Sequence, residues 1–272
     1  MEKLLIVGFG DIARRAAPQL ERRFGVLRAS RQDGFDLDRP ETLRFDGFDA
    51  VLHLAPPPPT GDSDPRTANL LAALEKGRIL PARLAYVSTS GVYGDCGGAR
   101  VDESRPVAPA TPRARRRADA ERQLEAWCSD KGTALIILRA PGIYAADRLP
   151  LERLRAGMPV LRAEDDVYTN HIHADDLARA VVRALEDDAP AGTYNASDDS
   201  EFRMGDWLDL VADRHGLPRP PRLVRSQFKD INDFMRESRR LDNRRLKEVL
   251  GLQLRYPTVY EGLKDEHAIG VD

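Results

Sequence analysis

Residues 7–13 read "VGFGDIA" and set Gly8 and Gly10 between an apolar run and a helical pattern. This is G-x-G-x-x-A, with Ala13 in the third position. The first glycine permits a tight turn and the second lets a diphosphate approach the backbone. The third position only has to be small for helix–strand packing. Gly8, Phe9, Gly10, Asp11 and Ile12 would then present turn and first-turn N–H groups, and the helix dipole, to a dinucleotide diphosphate. About 20 residues on, a carboxylate would be expected if a ribose 2′-hydroxyl were read. "VLRASRQ" offers Arg28, Ser30 and Arg31 and no carboxylate. Arginines there suit a 2′-phosphate through bidentate pairing, so NADP is expected in preference to NAD.

A second set of reactive side chains lies mid-chain. "STSG" places Thr89 and Ser90 after an apolar run, and "TPRARRRADAE" puts Arg113, Arg115, Arg116 and Arg117 within five residues. The run could be a nucleic-acid patch, a solvated helix face or part of a site. A formal net charge of −2 argues against a nucleic-acid partner. Arg113 and Arg117 share a helix face and Arg115 and Arg116 do not, so the latter two are expected to be inert. His171 and His173, at i and i+2 before Asp175 and Asp176, lack metal-binding helix spacing. No metal is expected, and an acid should cap the helix that follows. Asp102 and Glu103 could face a substrate, but acids in a surface loop are usually just solvated, and these two are expected to be so. "LAPPPPTGD" reads as a rigid, extended loop after a strand.

The elements that must position these groups follow from periodicity. Short apolar runs at 3–8, 25–30, 49–55, 83–90 and 134–141 alternate with helical patterns at 11–24, 66–77, 116–132 and 173–188, the signature of βαβ units and a parallel sheet. A short strand is expected over 192–198. Beyond about Ser200 the pattern changes to a helix over 203–216, an extended connector over 217–224 and a helix over 242–251 closed by Gly251. The expectation is a Rossmann-type, doubly wound α/β domain over 1–272. A small substrate lobe would come mainly from 145–170 and 200–272. With 42% apolar residues, two cysteines and no apolar run of about 18 residues, the chain is expected to be soluble and cytoplasmic, with no membrane partner and no signal segment.

Taken in order, "VGFGDIA", "FDLDRPETL", "DAVLHLAPP", "YVSTSGVYGD", "ILRAPGIYA", "NHIHADDLARAV" and "GTYNASDD" resemble the extended short-chain dehydrogenase/reductases, the NAD(P)-dependent epimerase/dehydratase group. The resemblance implies an NAD(P)-dependent oxidoreductase or epimerase/dehydratase-like protein acting on a hydroxyl or keto group of a small substrate. Asp36 and Leu37 would border the adenine. Leu54, Ala55 and Pro56 would pass beneath the adenosine ribose and phosphates. Pro141, Ile143 and Tyr144 would lie at the nicotinamide end, and Thr89 or Ser90 would polarise the substrate. Family members often dimerise through a helix pair, so a homodimer is a further expectation.

The chain departs from the family at its acid–base pair. Counting back from Glu121, Arg117 stands where the resemblance implies Lys and Arg113 where it implies Tyr. Guanidinium cannot act as a general acid or base near neutral pH. Three alternatives remain open. Tyr93, Tyr144 or Tyr168 supplies the proton; Arg113 binds an anionic group while substrate or water carries the proton; or the protein binds the dinucleotide without turnover, as a sensor or scaffold.

Overall fold

The computed structural model describes residues 1–228 and 235–264. The parts of the expected lobe at 229–234 and 265–272 lie outside the described residues. The first half runs β1 (Glu2–Val7), α1 (Asp11–Leu20), β2 (Phe24–Ala29), β3 (Ala50–His53), α2 (Pro65–Lys76), β4 (Arg83–Thr89), β5 (Arg100–Val101) and α3 (Pro112–Lys131). Then come β6 (Ala134–Ala140), β7 (Gly142–Tyr144), α4 (Leu151–Arg155), β8 (Val160–Leu161), β9 (Tyr168–Thr169), β10 (His171–His173), α5 (Ala174–Ala184) and β11 (Gly192–Asn195). The remainder is β12 (Phe202–Arg203), α6 (Met204–Arg214), β13 (Arg222–Leu223), β14 (Arg240–Leu241) and α7 (Val259–Gly262).

Six parallel strands form the central sheet in the order β11-β6-β4-β3-β1-β2. Alternation along β1 explains the two layers. Leu4 and Ile6 pack on one face with α1 and α5 residues, including Ala16, Leu177 and Val181. Leu5 and Val7 pack on the other with Leu70 and Leu74 of α2 and Leu124 of α3. A strand covered on both faces reads as a continuous apolar run, as "KLLIV" does. Each fully buried leucine contributes roughly 1.5–3 kcal/mol.

The chain reverses its direction across the sheet at β1, with β2 on one side and β3 on the other. Such a switch point opens a crevice at the carboxyl ends of the strands, here beside Gly8 and Ala55.

Several elements differ from their sequence expectation. Helix α1 stops at Leu20, two residues after Pro18, and Phe24 is taken into β2. Strand β11 stops at Asn195, whose side-chain amide donates to the Val101 and Asp242 carbonyls. The helix expected over 242–251 is a single π-type turn, Arg245–Val249. A third apolar cluster gathers Leu154, Val160, Trp207, Leu208, Val211 and Val259, joining α4, β8, α6 and α7. Three two-stranded ladders, β12–β9, β13–β8 and β14–β5, tie the chain after Ser200 to earlier segments.

Candidate functional site

The turn after β1 is shaped by one close approach and one open space. Gly8 has φ +88°, and a Cβ there would lie 2.5 Å from the Ala55 nitrogen. The contact is held by Ala55 N–H donating to the Val7 carbonyl at 2.9 Å and Gly8 N–H donating to the Ala29 carbonyl at 2.9 Å. Gly10, at the mouth of α1, has nothing within 4 Å of where a Cβ would be, and no side chain caps that helix. Uncapped first-turn N–H groups facing open space are what a diphosphate requires.

Around this turn, the Arg28 guanidinium lies 4.4 Å over the Phe9 ring and pairs with Glu21 at 2.7 Å. The Ser30 hydroxyl donates to Asp33, which brings a carboxylate near the end of β2 that "VLRASRQ" lacks. Arg31 is exposed. Asp11 opens α1 and is bonded by Arg15 and Arg148, each at 2.9 Å. Partial burial alone would raise its carboxyl, but the two arginines outweigh that and hold it below the usual carboxylate range. Ile12 is half-buried and packs against the core.

Asp36, Leu37, Leu54, Ala55 and Pro56 come from two loops that Arg66 fastens together. Its guanidinium pairs with Asp38 at 2.5 Å and donates to the Pro56 and Pro57 carbonyls at 3.0 and 3.2 Å. Asn69 donates to the Leu37 carbonyl at 2.8 Å. The Asp36 N–H donates to Thr42 Oγ1 at 2.9 Å. Arg66 escaped sequence reasoning because its partners lie 28 and about 10 residues away; no local spacing signals them.

A cavity of about 360 Å³ lies farther along the strand ends. Thr89, Ser90, Arg113, Pro141, Ile143, Tyr144 and Tyr168 all line it, joined by Arg148, His171, Trp207 and Arg239. The Thr89 hydroxyl accepts from Gly91 N–H at 3.2 Å, so it caps the turn it would act from. Tyr168 is held between Arg203 and Arg240, each 4.9 Å from its ring centroid. Burial pushes His171 down to about 3, so its imidazole is neutral.

Tyr93 is not brought to this cavity. It is 1% exposed, its hydroxyl donates to Asn195 Oδ1 at 2.8 Å, and Arg139 covers its ring at 4.8 Å. The turn after β4 directs the phenol into the protein, where the Arg139–Glu121 ion pair (2.7 Å, both buried) fixes it. Ser88 completes this network, donating to Glu121 at 2.5 Å.

The arginine run opens α3, capped by Thr111 accepting from Ala114 N–H at 3.1 Å. Arg113 is exposed at the cavity. Arg117 is half-buried and does not line the cavity. It donates to the Tyr86 hydroxyl and the Val87 carbonyl, both at 2.9 Å. Burial drives the Tyr86 phenol up to about 12, against the opposing pull of Arg117. Arg115 and Arg116 are not inert: Arg115 pairs with Asp62 at 2.9 Å, and buried Arg116 donates to the Gly61 carbonyl at 2.6 Å. They anchor the proline-rich loop to α3.

His173, rather than an acid, caps α5 by accepting from Asp175 N–H at 3.2 Å. Buried Asp176 instead accepts from the Arg255 and Tyr256 N–H groups, both at 2.8 Å. Glu103 accepts from the Asn195 N–H at 2.7 Å and is not a solvated loop acid. Among the described residues no His, Cys, Asp and Glu cluster could hold a metal ion, and no helix is long and apolar enough to cross a membrane.

Known proteins resemble this arrangement. A functionally unknown conserved protein from Silicibacter pomeroyi shares 27% identity at a TM-score of 0.81, covering 98% of this chain and 99% of its own. MoeE5, solved with UDP-glucuronic acid and NAD, superposes at a TM-score of 0.77 with 21% identity, covering 99% and 100%. RMD from Pseudomonas aeruginosa, complexed with NADPH, does so at 0.75 with 19% identity, covering 98% of each chain. These last two likenesses concern the fold. The dTDP-D-glucose 4,6-dehydratases of Homo sapiens and Bos taurus are each 24% identical over 173 residues, 53% of this chain. The chain spans about half the length of those curated relatives, 49% and 48%. Residues 36–197, more than half of the sequence, match the profile of the NAD dependent epimerase/dehydratase family. The chain therefore belongs to the NAD dependent epimerase/dehydratase family.

Proposed function

We propose that the protein is an NAD(P)-dependent oxidoreductase or epimerase/dehydratase, NADP preferred, acting on a hydroxyl or keto group of a small substrate. The observation that carries this reading is the open backbone at Gly10, with the cavity lined by Thr89 and Ser90 farther along the strand ends. A bound nicotinamide would supply hydride chemistry. The chain's own residues would do the rest. Gly8 to Ile12 seat the diphosphate. Asp36, Leu37, Leu54, Ala55 and Pro56 wall the adenosine, and Arg28, Ser30 and Arg31 meet a 2′-phosphate. Pro141 and Ile143 lie at the nicotinamide end, and Thr89 or Ser90 polarises the reacting oxygen.

Arg113 and Arg117 occupy the positions of the family's Tyr and Lys in this reading. Arg117 keeps a cation beside β4, where it could reach a ribose hydroxyl. Arg113 binds an anionic group on the substrate. The phenols at the cavity are Tyr144 and Tyr168. The lobe built on α4, α6 and α7 would close over the substrate, and sugar nucleotides are the first candidates, given the relatives' ligands. Pairing of two copies through helices that include α3 belongs to the same reading.

A second reading, a silent dinucleotide-binding sensor or scaffold, is favoured by one observation: α3 carries no tyrosine. The two separate in one experiment. The protein is titrated with NADP, NADPH, NAD and NADH, then assayed at the nicotinamide absorbance band with carbonyl compounds, UDP-glucose and dTDP-glucose. Turnover supports the enzyme. Tight NADPH binding without turnover supports the silent protein, and absence of any binding sinks both.

A further inference from the structure

The turn that follows β7 reaches across to the phosphate turn. Arg148 lines the substrate cavity, yet its guanidinium pairs with Asp11, the first residue of α1, at 2.9 Å. Asp11 directly follows Gly10, where the backbone is open. A diphosphate seated there would bring negative charge beside the Asp11 carboxylate.

Two cations attend that carboxylate, and they are differently committed. Arg15 bonds Asp11 at 2.9 Å, Asp147 at 3.0 Å and Asp175 at 2.7 Å, and its side chain is 24% exposed. Three carboxylates around one guanidinium fix it in place. Arg148 is 36% exposed, and Asp11 is its one carboxylate partner among the described residues. The cluster thus holds three acids, Asp11, Asp147 and Asp175, against two arginines. An incoming diphosphate adds further negative charge to a group already short of cations, and like charges at such range repel. Arg148 is the cation free to answer it.

We propose that Arg148 is a cofactor-binding residue that Asp11 holds in reserve: it leaves the Asp11 carboxylate for the dinucleotide diphosphate. The 146–148 turn moves with it, so occupancy of the diphosphate site sets the position of one wall of the substrate cavity. This rests on reading the Gly8–Gly10 turn as the diphosphate site, and the experiment keeps the two apart.

NADPH and 2′-phospho-ADP-ribose are titrated at low salt against the wild-type chain and four variants: Arg148→Met, Arg148→Lys, Asp11→Asn and Gly10→Val. Thermal melts accompany each. Arg148→Met should weaken both ligands about tenfold, by the same factor, because the contact is to phosphate. Arg148→Lys should stay within about threefold of wild type, and Asp11→Asn should tighten binding by freeing Arg148. Arg148→Met binding within twofold of wild type, while Gly10→Val abolishes binding, would overturn this proposal alone. A wild-type chain that binds neither ligand overturns the underlying reading and this one with it. Weakening in Arg148→Met that Arg148→Lys fails to restore, with both melts at the wild-type value, also rejects the cation's role.

Discussion

Gly8 and Ala55 approach so closely that residue 8 has no room for a side chain; a Cβ there would sit 2.5 Å from the Ala55 nitrogen and 2.7 Å from its Cα. Both obstructing atoms are backbone. Gly8→Ala must also adopt a left-handed φ, which alone costs about 1–3 kcal/mol. The variant should lose at least about 2 kcal/mol in urea unfolding and lose dinucleotide binding with it. Gly10→Ala should behave oppositely. With open space around it, stability should change by less than about 1 kcal/mol, while affinity falls about tenfold because the methyl occupies the approach to the backbone.

The cofactor preference is tested at the end of β2. Arg28→Ala and Arg31→Ala each remove a cation from the expected 2′-phosphate side. Hydrogen bonds to charged groups contribute about 1.5–3 kcal/mol, so NADP affinity should drop roughly tenfold to a hundredfold with NAD affinity unchanged. Isothermal titration with both nucleotides decides this. An equal loss for the two would assign these arginines to the turn's stability, and tighter NAD binding in the wild type would give the role to Asp33.

Glu121 and Arg139 form an ion pair at 2.7 Å with side chains 4% and 6% exposed. Removing one partner leaves a buried charge uncompensated, which costs about 3–5 kcal/mol. Glu121→Ala should therefore be destabilised by that amount in urea. The pair-replacing variant Glu121→Gln with Arg139→Met should cost less than either single change. A loss under 1 kcal/mol for Glu121→Ala would show that water reaches the pair.

Asp198 gives a pH signature. Burial pushes its carboxyl up to about 8, helped by Asp199 and Asp176 and opposed by bonds from Ser200. Unfolded, it titrates near 4. Between about pH 4 and 8 the folded chain holds a proton that the unfolded chain has released, so stability falls as pH rises through that window. His53 and His171, pushed down to about 3 by burial, act in the opposite sense. Their contribution is present above about 6.5 and is lost as pH falls toward 3. Thermal melts should decline less steeply from about pH 7 to 8.5 for Asp198→Asn than for wild type, and should rise more steeply from about pH 5 to 6.5, where the two histidines outweigh the one carboxyl. Parallel curves would show that the carboxyl titrates normally.

The sheet was legible because its strands are apolar runs covered on both faces, and Gly8 was legible because turn chemistry is local. Thr89, Ser90 and Arg113 could be chosen from chain order alone, and they do share one cavity with Tyr144 and Tyr168. The direction of a side chain at a strand end was not legible: Tyr93 and Thr89 are four residues apart, yet one is sealed under Arg139 and the other faces the cavity. Pairs such as Arg148 with Asp11, 137 residues apart, leave no periodic trace. The arginine run misled most where it looked plainest, since Arg116 is 7% exposed and serves the Gly61 carbonyl.

The loop from Pro56 to Pro59 has a thermodynamic consequence. Proline fixes φ, and Arg66 pins the carbonyls of Pro56 and Pro57 from one side while Arg115 and Arg116 pin Asp62 and Gly61 from the other. This stretch therefore has little torsional freedom left to surrender. A dinucleotide seated there as proposed would meet a surface already in its final shape, so the entropy lost on association would fall mainly on the ligand and on Arg148, which would have to leave Asp11.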